Sequence, residues 1–338
     1  MDIIQDLEFR GLLYQVTDRD GLANRLSKEP ITLYNGFDPS AGSLTIGNLV
    51  AILLLRRFQL AGHHPIGVVG GGTGLIGDPS GKSSERLLNE AEIVQGWTDS
   101  IREQVARFLD FDSKTNPARI VNNYSWLGKL TIVEFLRDIG KHFPVNYMLA
   151  KESVSSRLDA GISFTEFSYM IMQSYDYLWL FENMGCELQT GGSDQWGNIT
   201  AGVDLIRRRK SHSVFGLTCP LVTNADGSKL GKTEAGAVWL DEKMTTPYQF
   251  YQYWINTSDA DVIAYLKIFT FLTHVEICEL EDEVNQKPWE RVAQQTLARE
   301  VTEMVHSKVA MTRAENISKA LFYGSVSELT ANELEEGL

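Results

Sequence analysis

The sequence predicts an α/β protein: a doubly wound, parallel-sheet, Rossmann-like domain carrying a helical insertion, followed by an all-helical domain. Three observations predict it. Short strand-like and longer helix-like segments alternate through about the first two-thirds of the chain. A turn rich in Gly, Pro and Ser joins the first of these strands to an apolar helix. After about residue 245 the pattern is helical to the end.

Residues 31–34, 66–69 and 120–122 read as short buried strands, with helical patterns over 47–61, 91–109 and 131–139 after them. Residues 144–183 are mostly helical and interrupt the alternation. A strand over 187–190 and a helix over 194–210 resume it. Further on, Leu297, Val301, Met304 and Val305 have the spacing of one buried face. These boundaries divide the chain into 1–220, the sheet domain with its insertion near 144–183, and 221–338, the remainder.

The 338 residues, 43% hydrophobic and 22% charged, suffice for two domains with a sizeable core. No apolar run reaches membrane-spanning length and the N-terminus is no signal peptide, so no membrane partner is expected. Cys186, Cys219 and Cys278 are widely spaced and odd in number. That argues against a disulfide framework or a cysteine-based zinc site and suits a reducing cytoplasm. The six histidines lack metal-ligand spacing, so no resident metal is expected. A net charge of −13 repels nucleic acid on average, and any such contact needs a local basic patch. Arg207-Arg208-Arg209-Lys210 is the one strong basic run, although cations suit any helix C-terminus.

Four segments carry candidate chemistry. The first runs from Tyr34-Asn35-Gly36-Phe37-Asp38 through Ser40 and Ser43 to Thr45-Ile46-Gly47-Asn48. Strand, tight turn and helix N-terminus favour a bound anion such as phosphate, because the first turn carries unpaired N–H groups. In the helix that follows, Ile46, Leu49, Val50, Leu53, Leu54 and Phe58 share one face. An ordinary capped turn would look the same. The second is Ser228-Lys229-Leu230-Gly231-Lys232-Thr233, after an Asp226-Gly227 turn. Two lysines on a glycine loop suit a polyphosphate, but a solvated loop also carries lysines. Third, Tyr169, Gln173 and Asp176 fall at i, i+4 and i+7 of a helix, where a phenol, an amide and a carboxylate suit an amino acid, or else form a solvated edge. Last, Gln189 to Asn198 joins a strand end to a helix. There Gly191-Gly192 permits close backbone approach, Asp194 suits ribose hydroxyls, and Gln189 and Gln195 suit substrate; a simple cap by Asp194 competes.

A fifth segment, from Val68 to Lys82, invites two false readings. Gly72, Gly74 and Gly77 fit GxGxxG, but Asp78-Pro79-Ser80-Gly81 follows at once and reads as a turn. Gly81-Lys82-Ser83 evokes a P-loop whose first glycine would fall on Ile76. A glycine turn that brings backbone and Asp78 to a small ligand fits better.

Together these segments resemble the bacterial tyrosyl-tRNA synthetases, class I aminoacyl-tRNA synthetases, along essentially the whole chain. Thr45-Ile46-Gly47-Asn48 occupies the place of the HIGH motif, and Lys229-Leu230-Gly231-Lys232-Thr233 that of KMSKS. The resemblance implies a tyrosine site of Tyr34, Asp78, Asn123, Tyr169, Gln173, Asp176, Gln189 and Gln195. Within it, Asp78, Tyr169 and Gln173 hold the ammonium, and Tyr34 and Asp176 the phenol. It implies ATP contacts at Gly36, Asp38, Gly47, Gly192 and Asp194, and catalytic roles for Ser40, Thr45, Asn48, Lys82, Arg86, Lys229, Lys232 and Thr233. Lys82 and Arg86 match a loop that helps hold pyrophosphate.

The implied partners are tyrosine, ATP with Mg2+, and tRNA(Tyr), in a cytoplasmic homodimer built on the 144–183 insertion, with Phe164 and Phe167 either exposed there or in the core. Two departures stand out: Thr45 replaces the first histidine of HIGH, and Asn35 stands where many relatives have cysteine. Relatives also continue into a small RNA-binding domain, so a shortened chain is expected. Two rivals stay open: a binding homologue that has lost activation, and a synthetase for tryptophan or another aromatic amino acid.

Overall fold

The computed structural model describes residues 2–80, 89–159, 161–228, 230–233, 236–324, 327 and 329–337. They form two compact units. The first takes the described residues within 1–8, 12–42 and 51–221; the second takes those within 9–11, 43–50 and 222–338.

A six-stranded sheet organises the first unit. Its strands are β1 (Gln15–Val16), β2 (Thr32–Phe37), β3 (His64–Val69), β4 (Arg119–Asn122), β5 (Cys186–Gly192) and β6 (Phe215–Cys219). Their order is β1-β6-β5-β2-β3-β4; the two-residue β1 pairs antiparallel at one edge and every other pairing is parallel. β6 and β1 are additions to the strands expected from sequence. Parallel strands are covered on both faces and read as continuous apolar runs. β3 conforms, with only His64 less than buried. Order reverses between β2 and β5, and crevices for ligands open at the C-terminal ends of strands at such a point.

The helix Ile46–Leu60 buries more than the single stripe expected: Ile52 and Leu55, on the other side of the helix, are buried as well. Within the first unit, Tyr34, Ile66 and Val68 of the sheet pack in one cluster with Trp126, Met170, Tyr177, Leu178 and Leu205. Two long helices supply several of these residues, Phe164–Met184 and Trp196–Lys210. Ser163 caps the first by accepting from the Glu166 N–H, and Gly185 ends it at a φ of 62°. The insertion contains Val145–Leu149 and Glu152–Ser155 before this helix.

The second unit is helical apart from a two-stranded hairpin of β7 (Lys232–Thr233) and β8 (Gly236–Ala237). Its helix Pro247–Ile255 starts with a Thr246/Gln249 capping box, and His274–Gln286 with a Thr273/Glu276 box. Phe250, Trp254, Tyr265 and Phe269 form its aromatic core. Leu297, Val301 and Val305 are buried on Val292–Val305, while Met304 is half-buried.

Candidate functional site

In the first unit, strand register places Tyr34 beside Gln189 and Asn35 beside Thr190. Side chains alternate faces along a strand, so Tyr34 and Gln189 share one face of the sheet. Asn35 is buried and donates its amide to Thr190 Oγ1 at 3.1 Å. The helix Phe164–Met184 contributes Tyr169, Gln173 and Asp176. Tyr169 and Asp176 are buried, which rules out a solvated helix edge.

A continuous hydrogen-bond chain ties these elements together. Asp176 accepts from Trp126 Nε1 at 2.7 Å and from Asn123 Nδ2 at 2.9 Å. The same Asn123 amide donates to Thr73 Oγ1, and its Oδ1 accepts from the Gly72 N–H. Thr73 donates its hydroxyl to Asp38 Oδ1, and Tyr169 donates to Asp38 Oδ2, both at 2.6 Å. Gly70 permits this packing: a Cβ there would lie 1.9 Å from Asp38 Oδ1. Asp38, assigned to ATP by the resemblance, therefore spends its carboxylate on Thr73 and Tyr169. Asp78 accepts from Gln195 Nε2 at 2.7 Å and from the Ser80 N–H. Gln195 Nε2 also reaches Asp194 Oδ2 at 3.3 Å.

Three polar atoms of the same set stand outside this network. Tyr34 Oη, Gln173 Oε1 and Gln189 Oε1 are buried and have no hydrogen-bond partner. Each such group costs about 1–3 kcal/mol unless something pairs with it. Three from one strand pair and the facing helix mark a place where a ligand supplies partners. Burial pushes the Asp176 carboxyl up to about 7, against the lowering effect of its bonds to Asn123 and Trp126. The phenols of Tyr34 and Tyr169 are also pushed well up, by burial first and then by Asp176 and Asp38 respectively. Both therefore stay neutral hydroxyls. Neutral phenols, amide oxygens and carboxylates together suit a ligand with an ammonium at one end and a hydroxyl at the other.

The glycine-rich stretch forms a 3-10 turn, Thr73–Leu75, and no helix runs through Gly77. Gly36 and Ser40 are exposed, and a Cβ on Gly36 would meet nothing within 4 Å. A Cβ on Gly192 would lie 2.6 Å from Asp194 Oδ1, and Asp194 is exposed. Sequence reading missed Trp126 and Thr73. Thr73 lay inside a segment already singled out, whereas nothing local marks Trp126 as a carboxylate partner.

The second unit holds the other group. Thr45 donates both its N–H and its hydroxyl to Asn48 Oδ1 at 3.0 Å, closing the start of the helix Ile46–Leu60. Gly47 and Asn48 are exposed. Ser43 is buried, donating to Leu44 O and accepting from the Asp241 N–H. Ile46 N–H donates to Val238 O, and Val238 N–H to Gly231 O. Gly231 has a φ of 74°, and a Cβ there would lie 2.7 Å from Ile46 Cγ1. Both conditions demand glycine. Lys232 is exposed on β7, which Thr233 completes. Lys82, Arg86 and Lys229 lie outside the described residues. Among the described residues, no group of three His, Cys, Asp or Glu could hold a metal ion.

Comparison with known proteins gives concordant findings. The family model of class I tRNA synthetases (W and Y) matches residues 26–323. The tyrosine–tRNA ligase of Bacillus caldotenax is 61% identical over all of this chain and 81% of its own length. That of Geobacillus stearothermophilus is 60% identical over the same shares. A C-terminally truncated mitochondrial tyrosyl-tRNA synthetase of Aspergillus nidulans superposes with a TM-score of 0.86 at 32% identity, covering 95% of this chain and 94% of that one.

Proposed function

The chain belongs to the class I tRNA synthetases for tryptophan and tyrosine, and from that premise we propose how its side chains divide the work of a tyrosine–tRNA ligase. The enzyme joins tyrosine to tRNA at the expense of ATP. Tyrosine binds in the first unit. Its phenol oxygen accepts from Tyr34 Oη and its phenol hydrogen is donated to Asp176. Its ammonium donates to Asp78, Tyr169 and Gln173, while Asn123, Gln189 and Gln195 complete the site. The observation that carries this reading is the unpaired, buried hydroxyl of Tyr34, which feels the charge of Asp176.

ATP enters as its magnesium complex. Gly36, Asp38, Gly47, Gly192 and Asp194 contact it; at Asp38 the committed carboxylate leaves the backbone for that role. The tyrosine carboxylate attacks the α-phosphorus, the bond to the bridging oxygen breaks, and pyrophosphate departs with its electron pair. Ser40, Thr45, Asn48, Lys232 and Thr233, together with Lys82, Arg86 and Lys229, stabilise charge on the phosphates. Such a step needs positioning and charge stabilisation, with no general base. A ribose hydroxyl at the tRNA end then takes the tyrosyl group and AMP leaves.

The tRNA meets a local basic surface. Arg208 lies over the Tyr147 ring, as does Lys151, beside Arg207 at the end of Trp196–Lys210. We assign residues 1–220 to a catalytic domain and 221–338 to a lysine-loop and helical domain. Pairing into a homodimer through the insertion is supported by exposed Val145, Leu158 and Phe164, the last 72% accessible. Phe167 instead packs half-buried on the core. A cytoplasmic setting accords with free thiols at Cys186, Cys219 and Cys278; among the described residues no helix is long and apolar enough to cross a membrane.

Pyrophosphate exchange into ATP, driven in turn by tyrosine, phenylalanine and tryptophan, tests the proposal. Tyrosine alone should support it. Exchange with phenylalanine at a comparable rate would overturn the roles of Tyr34 and Asp176, and no exchange with any of them would favour a binding homologue.

A further inference from the structure

We propose that Tyr253 is a positioning residue for tyrosine activation, fixing through Gly231 where the lysine loop presents Lys232 relative to the helix start at Thr45–Asn48. The argument begins with a single line of hydrogen bonds inside the second unit. Tyr253 Oη accepts from the Gly231 N–H at 3.0 Å. Gly231 O accepts from the Val238 N–H at 2.9 Å, and Val238 O accepts from the Ile46 N–H at 3.1 Å. Ile46 is the first residue of the helix that Thr45 and Asn48 close. A side chain on Pro247–Ile255 thus ends a relay that begins at the helix N-terminus.

The other limb of the loop is held separately. Tyr265 donates its hydroxyl to Asn224 Oδ1 at 2.7 Å, and Asp261 Oδ1 accepts from the Ala225 N–H at 2.8 Å. Asn224 in turn donates to Ser228 Oγ. A cavity of about 620 Å³ adjoins both tyrosines and is lined also by Asn224, Val238, Met244 and Gln249. Close-packed interiors hold backbone by many contacts. Next to this space, a few hydrogen bonds do that work: the β7–β8 pairing holds Lys232 opposite Ala237, and Tyr253 supplies a side-chain bond to Gly231, the residue before it. Tyr253 is half-buried, its ring 5.2 Å from Trp254 in an edge-on contact, so the hydroxyl has a fixed origin. Burial keeps the phenol neutral by pushing its pKa up.

The inference rests on the proposed role of Lys232 in activation, and the experiment separates the two. Single-turnover adenylate formation is measured for Tyr253→Phe, Lys232→Ala and the double variant, with thermal melting of each. Loss of one neutral hydrogen bond is worth about 3- to 10-fold, so Tyr253→Phe should slow the maximal rate by that factor. Tyrosine affinity should be nearly unchanged, while the melting temperature should fall by the same small amount with or without Lys232, because the Gly231 N–H loses its acceptor in both backgrounds. In the Lys232→Ala background the same substitution should have no further effect on the rate, because a positioning residue acts only through the group it positions. A normal or faster rate in Tyr253→Phe, or a penalty that persists in full without Lys232, would overturn the inference. If Lys232→Ala itself leaves the rate unchanged, the underlying assignment of Lys232 falls instead.

Discussion

The region proposed to bind tyrosine and the helix-start and lysine-loop region are built on opposite principles. The first is buried: Asp176, Asn123, Thr73, Asp38 and Tyr169 form an unbroken chain of hydrogen bonds on a parallel sheet. The second is largely exposed at Gly47, Asn48 and Lys232, and backbone bonds through Gly231 and Val238 hold it. The difference teaches where each region does its work. Buried polar groups discriminate one small ligand from another, because an ill-matched ligand leaves them unpaired. Accessible cations serve a charge that shifts during the reaction, and they gain most when that charge moves.

The largest effect that would break the comparison is expected at Asp176. Its replacement by alanine leaves Trp126 Nε1 without its acceptor and Asn123 Nδ2 with Thr73 Oγ1 alone. A buried orphan costs about 1–3 kcal/mol, so Asp176→Ala should lower kcat/KM for tyrosine by roughly 10³-fold and lower Tm as well. Tyrosyl-tRNA synthetases are themselves the reference example for rejecting phenylalanine by about 10⁵-fold, and that preference should shrink in this variant. Unchanged selectivity would remove Asp176 from the phenol.

Tyr34 should behave differently, which sharpens the point. Its hydroxyl has no partner in the protein, so Tyr34→Phe should leave Tm unchanged or raise it. Tyrosine affinity should still fall by about 10-fold, through the hydrogen bond that only the ligand completes. Differential scanning calorimetry beside equilibrium tyrosine binding checks both halves; a clear loss of stability with normal affinity would contradict them.

Acid should weaken tyrosine binding in the same pocket. The Asp176 carboxyl is raised by burial to about 7, and in the proposed site it accepts the phenol hydrogen most strongly when ionised. Affinity should fall about 5- to 10-fold between pH 8 and pH 6. The stability linkage runs the other way. Because the folded pKa lies above the unfolded one, this group's contribution is full below pH of about 4 and is lost as pH rises through about 7. A tyrosine titration across this range that stays flat would mean that the phenol does not meet an ionising Asp176.

Thr45 should give the smallest effect. Its hydroxyl is engaged with Asn48, and it is shorter than the histidine expected in this motif. Thr45→His should speed single-turnover adenylate formation by a few-fold, below the full value of about 10²–10³ for one transition-state donor. Tyrosine affinity should hardly change. An equal or slower rate would show that this helix start has adapted around threonine.

The same contrast explains what was legible in the sequence. Helical spacing put Tyr169, Gln173 and Asp176 on one face, and the Asp78-Pro79 turn argued against a dinucleotide-type helix; both are local properties. The β6 strand at Phe215–Cys219 and the two-residue β1 carry little pattern of their own and exist through pairing. The bonds from Trp126 to Asp176 and from Tyr169 to Asp38 join residues 50 and 131 positions apart, and no local rule reaches that far. Gly231 was visible as a loop glycine, but the reason that it must be glycine lies in Ile46.

The division between a binding pocket and an activating loop is tested most directly by titrating tyrosine in single-turnover adenylate formation by Lys232→Ala. The account predicts a maximal rate lowered by about 10²-fold at an unchanged half-saturating tyrosine concentration, since the lysine acts on charge that appears as pyrophosphate leaves. A normal maximal rate reached only at much higher tyrosine concentration would contradict it, and would place Lys232 at the amino acid instead of the phosphates.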